Sequence, residues 1–260
     1  MNQWTEKSVH IASNNHYLDD LFDIYPTVPG GRRDIPRSTW ARIEHAYLQH
    51  NNLLLISELL KLDLFPLKDS YVAYLKKDRT ALQRNPATVN RLCKRLYEMN
   101  LEDIFDRCTD PKETNRQIGP LFQNWVRRAT LSYPVVSEDV FNSTTKDAIL
   151  EGSDSSLGTY ARIYLGYYRE KGLDFVGRFN NQLVIGEAKF LTDFGGHQAA
   201  QFEDAISTIH ASVNAGVVQI AILDGVLYIP RKTKMFRYLV DNPSDLIMSA
   251  LVLREFLNSL

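Results

Sequence analysis

The sequence predicts an α/β or α+β core behind a mostly helical N-terminal region. Apolar residues recur at helical spacing through most of the first 130 positions, whereas β-rich runs alternate with helical patterns after position 133. The expected division is a mainly helical region over 1–132, packed on a core over 133–260. With 260 residues and 44% hydrophobic composition, the chain is long and apolar enough to bury such a core.

The elements follow in order. "STWARIEHAYLQHNNLLLISELLKL", residues 38–62, carries Trp40, Ile43, Ala46, Tyr47 and Leu54 at helical spacing, with Ser38 or Thr39 as cap, and predicts one long or broken helix. "DSYVAYLKKD" and "NPATVNRLCKRLYEMN" read as helices, the second with Asn85 as N-cap and Pro86 at the first helical position. "NRQIGPLFQNWVRRATL" continues helical, with a break expected at Gly119-Pro120. "EGSDSSLG" reads as a loop, and "TYARIYLGYYREKG" as a short helix packed by its tyrosines and ending at Gly172. Two strands follow around Asn180-Asn181, then a helix over 197–214 closed by Gly216. "VVQIAIL" and "VLYIP" read as strands joined by a hairpin at Asp224-Gly225, and a last helix spans 244–257.

Composition narrows the function classes. Charged residues make up 23% with both signs interspersed, and no apolar run approaches the roughly 18 residues of a membrane helix. The first thirty positions lack the basic start and apolar block of a secretory signal, so the cytoplasm is the expected compartment. Cys93 and Cys108 have neither CxxC spacing nor a histidine at ligand distance, and read as ordinary buried thiols. The net charge of -1 announces no polyanion partner, so one would need a local patch. Arg32, Arg33, Arg37 and Arg42, then Arg127 and Arg128, then Arg231, Lys232, Lys234 and Arg237 are the clusters available.

The chemistry concentrates in "LDFVGRFNNQLVIGEAKF", residues 173–190. Asparagine tolerates the positive φ of a two-residue primed turn, so Asn180-Asn181 predicts a tight hairpin. Counting back from that turn, Phe179 faces Gln182, Val176 faces Ile185, and Asp174 faces Glu187, with Lys189 two residues further on the same face. Opposed Cβ atoms lie roughly 4.5 to 5.5 Å apart, and like charges so placed destabilise a sheet. The face shared with Val176 and Ile185, and the opposite face with Phe175, Phe179, Val184, Ala188 and Phe190, mark an inner hairpin covered on both sides. A divalent cation would offset the carboxylate repulsion. Asp174, Glu187 and the Ala188 carbonyl are hard donors suited to Mg²⁺. The alternative is an ion pair of Lys189 with either acid, of structural use alone.

Asp174, Glu187 and Lys189 on an inner hairpin followed by a helix and further strands resemble the PD-(D/E)xK nuclease superfamily, and more narrowly type II restriction endonucleases. The resemblance covers residues 173–230; Leu173 stands where the motif often has proline, a position that supplies no ligand. It implies a restriction-endonuclease-like core, a central mixed sheet flanked by helices. It also implies Mg²⁺-dependent, sequence-specific hydrolysis of phosphodiester bonds in double-stranded DNA, within a restriction-modification system, by a homodimer. Asp174, Glu187 and Ala188 would hold the metal, with Lys189 completing the catalytic set. An additional upstream helical carboxylate is common, and Glu113, Glu138, Glu151 and Glu170 are all available. A structure-specific repair or junction nuclease, or a non-catalytic DNA-binding module, are the competing readings.

For such an enzyme the segment "FLTDFGGHQAAQF" lies close to bound phosphate. Gly195 and Gly196 admit a close backbone approach at a helix start. His197, Gln198 and Gln201 are candidates to read base edges, and Asp193 to accept from cytosine. Arg231, Lys232 and Lys234 are candidates for phosphate contacts.

Overall fold

The computed structural model describes residues 1–14, 16–27, 31–111, 117–128 and 130–260. They fall into two compact units, one formed by Met1–Val28 with Thr114–Leu260 and the other by Pro29–Glu113. The chain opens with α1 (Gln3–Ala12) and α2 (Tyr17–Ile24), both in the first unit. The second unit holds α3 (Arg37–Leu48), α4 (Asn52–Leu59), α5 (Ser70–Lys77), α6 (Ala81–Arg84), α7 (Pro86–Tyr97) and α8 (Leu101–Thr109). The chain then returns to the first unit with α9 (Ile118–Arg127).

The second unit closes on its own core of Ile43, Leu55, Ile56, Leu59, Leu92, Leu96 and Ile104. The helical pattern over 38–62 is broken: His50 takes a positive φ, and the Asn51 side chain accepts from the Leu54 N–H to start α4. Asn85 does not act as a side-chain cap. Its Nδ2 donates back to the Ala81 carbonyl instead. Cys93 and Cys108 are free and buried in this core, and burial pushes both thiols up to about 12.

In the first unit β1 (Val135–Val136), α10 (Glu138–Ser143), β2 (Ala148–Leu150), α11 (Asp154–Tyr164), β3 (Phe175–Phe179), β4 (Gln182–Leu191), α12 (Gly196–Ile209), β5 (Val217–Gly225), α13 (Lys234–Asp241), β6 (Ile247–Met248) and α14 (Ala250–Asn258) follow one another. The strands form one mixed sheet in the order β1-β2-β3-β4-β5-β6. β2, β3 and β4 are antiparallel, while β1 joins β2, β5 joins β4 and β6 joins β5 in parallel. Among the described residues no helix is long and apolar enough to cross a membrane.

Several expectations are corrected. The division expected at 132 differs from the observed one, because Leu21, Ile24, Phe122 and Val126 share a core with Phe175, Val184 and Ile222 of the sheet. Gly119-Pro120 does not break α9, since Pro120 sits in the first turn, where no amide is needed. Part of "EGSDSSLG" is helical: the Ser153 side chain caps the Ser156 N–H, and α11 starts at Asp154. That helix ends at Tyr164, short of Gly172, and α12 ends at Ile209, short of Gly216. Asp224-Gly225 is no hairpin turn; β5 runs through both residues into a 3-10 turn, Val226–Tyr228. The last helix starts at Ala250, behind the short strand β6.

Candidate active site

The hairpin register is the expected one. Asn180 and Asn181 both have positive φ, 46° and 63°, and Phe179 pairs with Gln182, Val176 with Ile185 and Phe175 with Gly186. The ladder ends there, but the Asp174 N–H still donates to the Gly186 carbonyl at 3.0 Å, which keeps Asp174 beside the Glu187 end of β4. Both faces are buried. Phe175, Phe179, Val184 and Ala188 join one core, and Val176 and Ile185 join another with Leu157 and Tyr160 of α11. By alternation Asp174, Glu187 and Lys189 share the second face. On β5 that face carries Gln219, whose Nε2 donates to the Thr208 and Ala211 carbonyls at the end of α12. The three charges thus converge on one face of the sheet.

Their contacts are dense. Asp174 Oδ2 accepts from the Ala188 N–H at 2.9 Å and lies 3.6 Å from Lys189 Nζ. Gln123 of α9 donates to the Asp174 carbonyl at 2.6 Å and fixes the strand from outside the hairpin. Glu187 is 2% exposed, and its Oε1 accepts from Lys189 Nζ and, at 2.6 Å, from Lys171 Nζ. Lys189 Nζ also donates to the Ala188 carbonyl at 3.1 Å. Burial and then the Glu187 charge raise the Asp174 carboxyl to about 6. For Lys189 burial alone would lower the pKa, but Asp174 and Glu187 outweigh it and raise the ammonium above its ordinary value.

The donor set fits a hard divalent ion. Among the described residues neither Asp174 Oδ1 nor Glu187 Oε2 accepts a hydrogen bond, so each carboxylate keeps an oxygen to offer. No group of three or more His, Cys, Asp or Glu side chains that could hold a metal occurs among the described residues. A site here therefore rests on two carboxylates, the Ala188 carbonyl and water, a set compatible with Mg²⁺, which keeps several waters.

Four residues outside the motif adjoin these three charges. Lys171 bridges Glu187 and Asp204 of α12, and Asp204 in turn accepts from Arg169 at 3.1 Å. Asp154, in the first turn of α11, adds its charge to those raising Asp174, and its carbonyl accepts from the Leu173 N–H. Of the other upstream carboxylates, Glu138, Glu151 and Glu170 are exposed, as Asp154 itself is, and Glu113 lies outside the described residues. Asp154 had a weak signal in the Ser-Asp-Ser-Ser run that caps α11. Lys171, Arg169 and Asp204 had none, because 33 residues separate Lys171 from Asp204.

The candidate DNA contacts divide. Asp193, Gly195, Gly196 and His197 are exposed where α12 begins, and His197 Nε2 lies 3.0 Å from Gln201 Nε2. Gln198 is corrected: it is buried, and its Oε1 accepts from the Thr192 N–H, so it closes the loop. Arg231, Lys232, Lys234 and Arg237 are exposed around the start of α13. The earlier arginine cluster is largely ion-paired, Arg32 with Asp106, Arg33 with Asp63 and Arg42 with Glu58.

The family model described as Tsp45I type II restriction enzyme matches residues 2–260. The match spans both units, and the mixed sheet with flanking helices is consistent with a restriction-endonuclease-like α/β fold. No curated protein and no solved structure matches the chain.

Proposed function

Because the chain belongs to the Tsp45I type II restriction enzyme family, and is thus a site-specific deoxyribonuclease acting on DNA, we propose that it hydrolyses phosphodiester bonds with Mg²⁺ at Asp174, Glu187 and Lys189. What supports this reading is a single feature: two carboxylates and a lysine brought to one face of an otherwise apolar hairpin.

Asp174, Glu187 and the Ala188 carbonyl are the residues that would hold the cation. When bound, it supplies Lewis acidity for activating water and for polarising the phosphoryl oxygen. The chain's own residues do the rest. Gln123 and the Ala188 N–H keep the Asp174 carboxylate in register with Glu187. Lys189 presents its ammonium beside both acids, where it orients the attacking water or neutralises charge developing on the phosphate. Asp154 is the upstream helical carboxylate best sited to assist. Asp193, Gly195, Gly196, His197 and Gln201 lie on the base-reading segment, and Arg231, Lys232 and Lys234 contact phosphates. A two-fold symmetric target needs two such centres, hence a homodimer, within the cytoplasm and a restriction-modification system.

The test is digestion of unmethylated phage DNA with Mg²⁺, with the ends sequenced. The intact protein gives discrete fragments, and Lys189→Ala binds the same DNA while cleaving about 10²- to 10³-fold more slowly. Undiminished cleavage by Lys189→Ala or Asp174→Asn would place the chemistry elsewhere.

A further inference from the structure

We infer that Lys171 is a positioning residue that competes with the divalent cation for Glu187 and withdraws onto Asp204 when the cation binds. The inference rests on the metal reading of Asp174 and Glu187. Its starting observation is that one carboxylate oxygen, Glu187 Oε1, serves two ammonium groups. Lys189 belongs to the hairpin and also faces Asp174. Lys171 does not: it comes from the segment between α11 and β3, and its second carboxylate, Asp204 Oδ2, lies on α12, outside the hairpin.

The surroundings suit a side chain that moves on a fixed backbone. A Cβ on Gly158 would come 2.5 Å from the Lys171 carbonyl, and one on Gly172 would come 2.6 Å from the Asp154 carbonyl. Those two glycines therefore let α11 press directly on the segment and hold it. The Lys171 side chain is 29% exposed and borders a cleft of about 470 Å³ lined also by Asp154, Ser155, Arg162 and Glu170. Asp204 is equally prepared. Arg169 donates to its Oδ1 at 3.1 Å and to its carbonyl at 3.2 Å, and is itself anchored on the buried Thr208 hydroxyl at 2.7 Å. Burial raises the Asp204 pKa, but Lys171 and Arg169 outweigh it, so the carboxylate stays ionised.

Without a cation, Lys171 supplies the positive charge that two neighbouring carboxylates require. With one, the ammonium faces a doubly charged neighbour across a short distance in a poorly solvated site, and repulsion drives it toward Asp204. The pair Lys171–Asp204 thus sets how tightly the metal is held.

The experiment titrates Mn²⁺ alone into the full chain and reads free Mn²⁺ from its electron paramagnetic resonance signal. Lys171→Met should tighten binding, and Asp204→Asn should weaken it, each by about fivefold or more, as charges in contact do. In the Lys171→Met background, Asp204→Asn should change the affinity by less than about twofold, because Asp204 acts through Lys171. Equal effects of Asp204→Asn in both backgrounds, or unchanged affinities throughout, would overturn the inference. Thermal melts establish that each variant folds, and Lys171→Gln replaces Lys171→Met should the latter not. Wild-type binding that is lost in Asp174→Asn locates the ion at this site. Absence of Mn²⁺ binding by the wild type would overturn the metal reading and this inference together.

Discussion

Asp224 shows what a single residue can hide from its sequence. An Asp-Gly pair between apolar runs signals a hairpin, yet Asp224 is fully buried at the end of β5. It accepts from Tyr25 at 3.0 Å, Tyr17 at 3.3 Å, the Ala250 N–H at 3.2 Å and the Ser249 hydroxyl. The tyrosines lie about 200 positions upstream, so no local pattern could disclose them. The charges of the candidate site were legible for the opposite reason: Asp174, Glu187 and Lys189 meet through one hairpin. Lys171, whose partners come from β4 and α12, was not. Asp224→Ala leaves buried hydroxyls and an amide unpaired, at about 1–3 kcal/mol for each group stranded. We expect a loss of about 3 kcal/mol in urea unfolding. A loss under about 0.5 kcal/mol, typical of surface positions, would show the network to be dispensable.

At the scale of the element, the β3–β4 hairpin carries the site because its turn sets its register. A slip of one residue would turn β4 over and bring Glu187 and Lys189 to the opposite face, against Phe175 and Phe179 of β3. Two consecutive residues with positive φ make the primed turn, and asparagine accepts that conformation where β-branched residues do not. The turn was legible because its signal is local and chemical. Helix ends were less so: Pro120 reads as a breaker until its position in the first turn of α9 is known, and Ser153 reads as loop until its cap is seen. Replacing Asn180 and Asn181 together by glycine should keep cleavage and shift stability by less than about 1 kcal/mol, the conformational cost of glycine. Asn181→Val should cost about 1–2 kcal/mol by thermal denaturation, the penalty of forcing a side chain into the left-handed region. Equal stability of the valine and glycine variants would mean the turn does not fix the register.

Over the whole molecule, the sequence disclosed a helical part and a sheet core, but not that α1, α2 and α9 share the sheet's core. Their amphipathic faces announce burial without naming what they bury against. The same unit concentrates two carboxyls raised to about 6, Asp224 chiefly by burial and Asp174 by burial and then by Glu187. A folded pKa above the unfolded value means that the folded state binds protons more readily. Such a group's contribution is fully present below about pH 4 and is lost as pH rises through about 6. Asp204 runs the other way: its folded pKa is lowered by Lys171 and Arg169 against the effect of burial, so its contribution is lost as pH falls below about 4. Metal-free protein should therefore melt at higher temperature at pH 5 than at pH 8, and lose stability again below about pH 4. On the proposed function the Asp174 carboxylate must be ionised to hold the cation, so activity should fall over the interval in which stability rises, as expected where a site strains its fold. Calorimetric melts in a chelator from pH 4 to 8, beside cleavage rates at saturating Mg²⁺, separate the two curves. Asp174→Asn with Asp224→Asn should flatten the rise between pH 8 and 5, and an unchanged slope in that double variant would assign the pH dependence to other groups.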